Sequence, residues 1–169
     1  VGLHAVYEDA NFVALTAAGD YTVDWGDGVI ANYAANAVAE HEYNYSTYDT
    51  AGATLCSRGY KQAIITVTPQ SGQQFTLINI NKRHSKLTSS SVSSGFLEVS
   101  IAGSYVTGVC IGNSSVGGTG SNIVHALLES ASVICPSLAT CTGIFKNCYS
   151  LRHIPQLDTS AVTNMSNMF

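Results

Sequence analysis

The stretch that decides the fold runs from residue 21 to residue 28 and reads Tyr21-Thr22-Val23-Asp24-Trp25-Gly26-Asp27-Gly28. Its first half alternates aromatic and β-branched residues with polar ones, a pattern typical of a β-strand. Two glycines then end the strand, because a tight turn needs positive φ angles, which glycine adopts without steric cost. The aspartate between them can cap the turn through its side chain. The stretch therefore predicts a strand that runs into a glycine–aspartate turn.

The segments around this turn also favour β-structure. Residues 12–15 form a short apolar run, and residues 17–20 predict a hairpin turn that joins this run to the strand after it. Farther along, residues 63–68 are rich in β-branched side chains and residues 75–80 alternate. No useful helical periodicity occurs before residue 120, and the first half of the chain is therefore predicted to be all-β.

Three motifs follow one another in this half of the chain. The turn Trp25-Gly26-Asp27-Gly28 precedes His41-Glu42-Tyr43, and Gly59-Tyr60 then leads into the strand at 63–68. Their order and spacing resemble the immunoglobulin-like domain of the polycystic-kidney-disease (PKD) type. The resemblance covers residues 1–82, with 44–58 as a long inserted loop. It implies a β-sandwich of about seven strands that serves as a spacer or a binding module.

Acidic residues in the same half raise the question of a calcium site. Asp24, Asp27, Glu40 and Glu42 supply the hard oxygen ligands that calcium prefers, and Asp24 and Asp27 are the candidates we retain. Alternatively, Asp24 and Asp27 shape the turn while the two glutamates lie on a solvated strand, and we favour this interpretation. No other cofactor is predicted.

The pattern changes after residues 83–95, a serine-rich segment that is predicted to be a linker. Beyond it, Ile144-Phe145 and Met168-Phe169 stand in the same local context, and their phenylalanines are 169 − 145 = 24 residues apart. The same shift aligns three further pairs: Cys141 with Met165, Leu138 with Val162, and Val133 with Leu157. A period of about 20–29 residues is typical of leucine-rich repeats. Residues 96–169 are therefore predicted to form a solenoid segment of this kind.

The segment from Phe145 to Phe169 resembles the BspA-like leucine-rich repeat of bacterial surface proteins and phage structural proteins. The likeness is close over 141–169 and weak over 97–140, and Leu157-Asp158-Thr159-Ser160 is part of the motif that carries it. It implies that Asp158, Thr159 and Ser160 turn the chain. It also implies that seven residues point into the coil: Cys148, Leu151, Ile154, Leu157, Val162, Met165 and Phe169. Because one coil cannot bury its apolar face alone, we expect the repeats to continue beyond Phe169.

One short helix is predicted in the second half. Residues 122–130 are the only segment there that favours helical turns, with Asn122 as the N-cap.

Catalytic and metal-binding patterns find little support. Residues 108–112, Gly-Val-Cys-Ile-Gly, match a nucleophile elbow with Cys110 as nucleophile, but the helix that such an elbow requires is not predicted after residue 112. His41 has no evident nucleophile partner, so we expect it to make a structural hydrogen bond beside an inward-packed Tyr43. The spacings of the later histidines and cysteines fit no zinc pattern: His125, His153, Cys135, Cys141 and Cys148.

Composition narrows the class of protein. Only 11% of the residues are charged, against about 25% in an ordinary domain, and the five cysteines include no closely spaced pair, which favours buried thiols. No basic face suits a nucleic acid, and no apolar run approaches the roughly 20 residues that span a bilayer.

The two resemblances and the composition predict a mainly β, non-enzymatic structural or adhesion protein on the surface of a phage virion. It would be part of a fibre, a tail or a capsid decoration. Its expected partners are other virion or surface proteins, copies of itself, or a host receptor or glycan. The alternatives are a bacterial cell-surface adhesin and a non-catalytic accessory module of an extracellular hydrolase.

Overall fold

The computed structural model describes residues 1–8, 11–48, 59–88, 92–112 and 123–169. Within these ranges the chain forms twelve β-strands and no helix. In chain order they are β1 (Gly2–Val6), β2 (Phe12–Ala18), β3 (Tyr21–Asp24), β4 (Ile30–Tyr33), β5 (Ala39–Glu42), β6 (Lys61–Pro69), β7 (Leu77–Asn79), β8 (Val92–Ser93), β9 (Phe96–Ala102), β10 (Gly108–Cys110), β11 (Ile123–Val124) and β12 (Ser130–Ile134). The predicted β class is confirmed.

The strands form two larger sheets and one small one. The first sheet has the order β12-β9-β1-β6-β3-β4, the second has the order β10-β7-β2-β5, and β8 pairs with β11. Apolar residues of both larger sheets, such as Val23 and Ile65 of the first and Val13 and Leu15 of the second, belong to one hydrophobic core. This arrangement is consistent with a β-sandwich, in which alternate residues of each strand face inward.

The predicted hairpin at residues 17–20 is wrong, because β2 and β3 lie in different sheets. The chain crosses from one sheet to the other at Gly19, where φ is 125° and a Cβ atom would lie 2.4 Å from the carbonyl oxygen of Gln74. Asp20 holds the crossing through its carboxylate, which accepts the N–H of Ala35 at 2.8 Å. Both strands bury apolar side chains, so placing them in opposite sheets lets each cover the other.

Strand β1 joins the two halves of the chain. It pairs antiparallel with β6 of the predicted sandwich on one side and with β9 of the predicted repeat segment on the other. The register with β9 shifts between Leu3 and His4, where the N–H of Ala5 donates to the carbonyl of Gly95 at 2.7 Å. The domain limits 1–82 and 96–169 stay a prediction, and in the structure these two parts share a sheet.

Pairing in the second half is parallel. β12 runs beside β9, β10 beside β7, and β11 beside β8. The next pass of the chain adds parallel bridges from Ser130 to His153, Val133 to Leu157 and Thr140 to Asn164. The last two pairs are 157 − 133 = 24 and 164 − 140 = 24 residues apart, which is the shift found in the sequence.

The predicted helix at 122–130 is wrong. The described part of this segment forms β11 and the start of β12, with a single turn closed by the N–H of Leu128 on the carbonyl of His125 at 3.3 Å. Parallel pairing with β8 and β9 takes up the backbone groups that a helix would use internally. Asn122 lies outside the described residues, and within them no helix is long and apolar enough to cross a membrane.

Two glycines of the turn after β3 provide a matched test of this fold. Both have positive φ, 79° at Gly26 and 89° at Gly28, but only a Cβ atom at Gly26 would meet another group, the carbonyl oxygen of Ile64 at 2.5 Å. We expect Gly28→Ala to cost about 1 kcal/mol of unfolding free energy through backbone strain. We expect Gly26→Ala to cost about 3 kcal/mol, because overpacking adds to the same strain. Urea unfolding measures both, and equal losses would contradict the close approach of this turn to β6.

Candidate functional site

The turn after β3 is closed by backbone and side-chain hydrogen bonds. The N–H of Trp25 donates to the carbonyl of Val29 at 3.0 Å. The carboxylate of Asp24 accepts the N–H of Gly26 at 2.9 Å, and that of Asp27 accepts the N–H of Val29 at 3.1 Å. Each aspartate therefore caps the backbone two residues ahead of it, as the sequence predicted.

An aromatic cluster fastens this turn to the second sheet. We define the corner cluster as Trp25, Asp27, His41 and Tyr43. The imidazole of His41 stacks on the fully buried indole of Trp25, with ring centroids 4.9 Å apart and planes within 11°, and its Nε2 lies 2.7 Å from Oδ2 of Asp27. The hydroxyl of Tyr43 donates to the carbonyl of Trp25 at 2.7 Å.

The corner cluster confirms the structural role predicted for His41 and the inward packing of Tyr43. Tyr43 is buried, and burial raises the pKa of its hydroxyl well above the ordinary value. A neutral donor on a carbonyl and an imidazole beside a carboxylate satisfy the polar groups that the aromatic packing takes out of water. Because the cluster joins β3, its turn and β5, it fixes the spacing of the two sheets at this end.

The four acidic calcium candidates bond to different groups. Asp24 and Asp27 hold the turn, whereas Glu40 accepts the backbone N–H of Ser85 at 2.7 Å and Glu42 pairs with Lys86. Among the described residues, no three histidine, cysteine or acidic side chains form a group able to hold a metal ion. The structure thus gives Asp24 and Asp27 the turn-shaping role, and calcium binding stays a prediction for both.

Two buried histidines lie at the joint between β1 and β9. His4 of β1 and His125, which follows β11, flank the ring of Phe96, at centroid distances of 5.4 and 6.4 Å. Nδ1 of His125 lies 2.6 Å from the hydroxyl of Ser94. Burial lowers the pKa of His4 to about 3 and that of His125 to about 4. Both rings are therefore neutral in the folded protein at ordinary pH.

Gly95 leaves the space for the His4 ring. A Cβ atom at Gly95 would lie 2.6 Å from Cε1 of His4 and 2.9 Å from the carbonyl oxygen of Ala5. Sequence reasoning did not single out His4. Its place between Leu3 and Ala5 in an alternating strand gives the face it occupies, but that Gly95 and Phe96 enclose it depends on pairing across more than 90 residues.

The thiols of the second half are mostly buried. Cys110, Cys135 and Cys141 are buried and Cys148 is half-buried, which agrees with the predicted buried thiols, whereas Cys56 lies outside the described residues. Burial raises the pKa of the Cys148 thiol to about 12. Such thiols are poor nucleophiles. The residues after 112, on which the elbow interpretation of Cys110 depends, also lie outside the described part.

The last pass of the chain partly follows the inward pattern implied by the repeat resemblance. Five of the seven predicted residues pack against the core: Cys148, Leu151, Ile154, Leu157 and Val162. Met165 and Phe169 are exposed, by 46% and 70%, and that part of the prediction is wrong. Met168 packs inward in their place, while the Phe169 ring stacks on Phe145 with centroids 5.7 Å apart. The predicted turn is present, since Asp158 accepts the N–H of Ser160 at 3.0 Å.

Comparison with protein-family models, with curated protein sequences and with solved structures gave no match. The PKD-type and BspA-like resemblances therefore depend on the motifs themselves.

The two buried histidines predict a loss of stability in acid. The unfolded chain protonates them near the ordinary pKa of about 6.5, whereas the folded chain does so only near pH 3 to 4. Their contribution to the unfolding free energy is therefore complete above about pH 6.5 and declines as the pH falls toward 4. Each histidine contributes a slope of at most about 1.4 kcal/mol per pH unit, measurable by urea unfolding at several pH values.

A pair of histidine variants separates this effect from general acid sensitivity. His125→Asn keeps a polar group near Ser94 and is expected to remove about half of the slope. His153→Asn, at an exposed position, is the matched control and should leave the slope unchanged. An unfolding free energy that stays constant from pH 6.5 to 4.5, or an unchanged slope in His125→Asn, would contradict the assignment.

Proposed function

We propose that the chain is a non-enzymatic structural or adhesion component of a phage virion surface, in which a PKD-type sandwich carries coils of a leucine-rich-type repeat. One observation carries the proposal: the first sheet passes from antiparallel pairing at β6 and β1 to parallel pairing at β9, β12 and residues 153–157. A sheet that continues in this way links the two parts without a flexible joint. Such rigidity suits a part that spaces or presents a contact surface.

Backbone hydrogen bonds between successive passes support the repeat interpretation. The N–H groups of Cys141, Gly143 and Phe145 each donate to a carbonyl 23 residues ahead, on Asn164, Ser166 and Met168, at 2.9, 3.1 and 2.8 Å. The hydroxyl of Ser150 donates in the same sense to the carbonyl of Ala126. Stacking neighbours at a near-constant interval is how a repeat array buries its apolar face.

The outer surface of the last pass supports a role in contacts. Its exposed polar residues are uncharged: Thr159, Ser160, Thr163, Asn164, Ser166 and Asn167. Hydroxyl and amide groups bond to sugars and to backbone groups of other proteins without the desolvation cost of a charge. We therefore assign this face to neighbouring virion proteins, to copies of the chain, or to a host receptor or glycan.

Electron microscopy with immunogold labelling tests the proposal. An antibody raised against the purified chain is applied to a lysate of the source cells, with antibody pre-absorbed on the same chain as control. We expect gold on particles that have capsids or tails, and a polypeptide of virion origin in the labelled fraction by mass spectrometry. Gold confined to the cell envelope would indicate the adhesin instead. Recovery of the chain within a hydrolase polypeptide would indicate the accessory module.

A further inference from the structure

A cavity of about 240 Å³ lies between the two sheets, at the end where β1 begins and where β6 and β9 end. Its wall is built by apolar side chains of both sheets: Leu15, Ile65, Val67, Ile78, Phe96 and Val99. Interiors are normally filled to the density of organic crystals, so a space of this size forgoes packing contacts on every side. No other feature described above uses it.

The mouth of the cavity is polar and neutral. Gln73, Gln74, Ser104 and Tyr105 are among the residues that line the space, and Tyr105 is 57% exposed. No acidic or basic side chain is among the lining residues that the structure describes. An ionised ligand would leave water without a counter-charge and would be disfavoured, whereas a hydroxyl or carbonyl group can bond to the glutamine amides.

The volume limits the size of a guest. A dry cavity of about 150 Å³ lined by aliphatic and aromatic residues is enough to take up benzene. Sites for drug-sized ligands start near 300 Å³. The space between the sheets falls between these sizes, which corresponds to one or two fused rings or to a hydrocarbon chain of medium length.

We propose that this cavity is a binding site for a small, neutral, apolar molecule, with its hydrocarbon part between the sheets and its polar end among Gln73, Gln74 and Tyr105. The site is independent of the proposed virion role, since its walls belong to the core shared by β1, β2, β6, β7 and β9.

Titration with two probes, indole and 1-octanol, followed by ¹H–¹⁵N NMR, tests the site. We expect saturable shifts of the amides of Phe75, Ile101 and Val106, which line the cavity. The corner cluster, at the glycine–aspartate turn, should be unaffected. Shifts spread evenly over the surface, or none at saturation of either probe, would overturn the proposal.

Two variants on neighbouring residues of β6 show whether binding occurs inside the cavity. Val67 lines it, whereas Thr66, the next residue, points to the opposite face of the strand. Val67→Phe fills the space and is expected to weaken binding by about tenfold or more. Thr66→Phe adds the same ring on the outer face and should bind as the parent chain does.

The thermal unfolding of Val67→Phe keeps the result interpretable. An added ring that enters an existing cavity should leave the unfolding temperature equal to the parent's or higher, because it restores packing. Weakened binding together with a retained unfolding temperature supports the site. Undiminished binding in Val67→Phe, or an equal loss in Thr66→Phe, would overturn it.

Discussion

The rest of the structure depends on the double pairing of β1. This strand of five residues donates and accepts backbone hydrogen bonds on both edges, to β6 on one side and to β9 on the other. If β1 were an edge strand, the sandwich would end there and the later strands would need a separate core. The pairing is possible because Gly95 lets β9 approach the ring of His4, and the register shift after Leu3 accommodates the contact.

The corner cluster performs the complementary task between the sheets. Hydrogen bonds within a sheet set the order of strands but do not fix the distance to the sheet opposite. The stacked rings of Trp25 and His41, and the hydroxyl of Tyr43 on the carbonyl of Trp25, join the turn after β3 to β5 of the second sheet. The second half has no equivalent cluster among the described residues, and its passes are held by parallel backbone pairing and by the side chains enclosed between them.

The sequence predicted features whose causes are local or periodic. Gly26 and Gly28 indicate the turn because their backbone conformation excludes most other residues, and the 24-residue shift of Val133 to Leu157 is visible because stacked passes place equivalent side chains alike. The hairpin at 17–20 was predicted wrongly, because the local sequence does not specify to which sheet a short apolar strand belongs. The helix at 122–130 failed for a related reason, since strands distant in sequence compete for its backbone.

Two parts of the candidate sites were beyond sequence reasoning. The enclosure of His4 and His125 around Phe96 arises from pairing between segments far apart in the chain, and no spacing rule connects them. The cavity beside Ile65 and Val99 is a place where packing is incomplete, and a pattern of apolar residues predicts a core without predicting its gaps. Met168 taking the inward place expected for Met165 shows that an array also leaves the rotation of its outermost pass undetermined by the period.

Equilibrium unfolding with one probe in each half tests most directly whether β1 makes a single cooperative unit. Trp25 is the only tryptophan and is fully buried in the sandwich, while Cys135 and Cys141 are fully buried between the later passes. Fluorescence of Trp25 and peptide-resolved thiol labelling can be followed across the same urea series. Because the two parts share a sheet, we predict coincident transitions for both probes. Labelling of Cys135 and Cys141 at clearly lower urea than the Trp25 transition would contradict a single unit and would favour two domains joined by a linker.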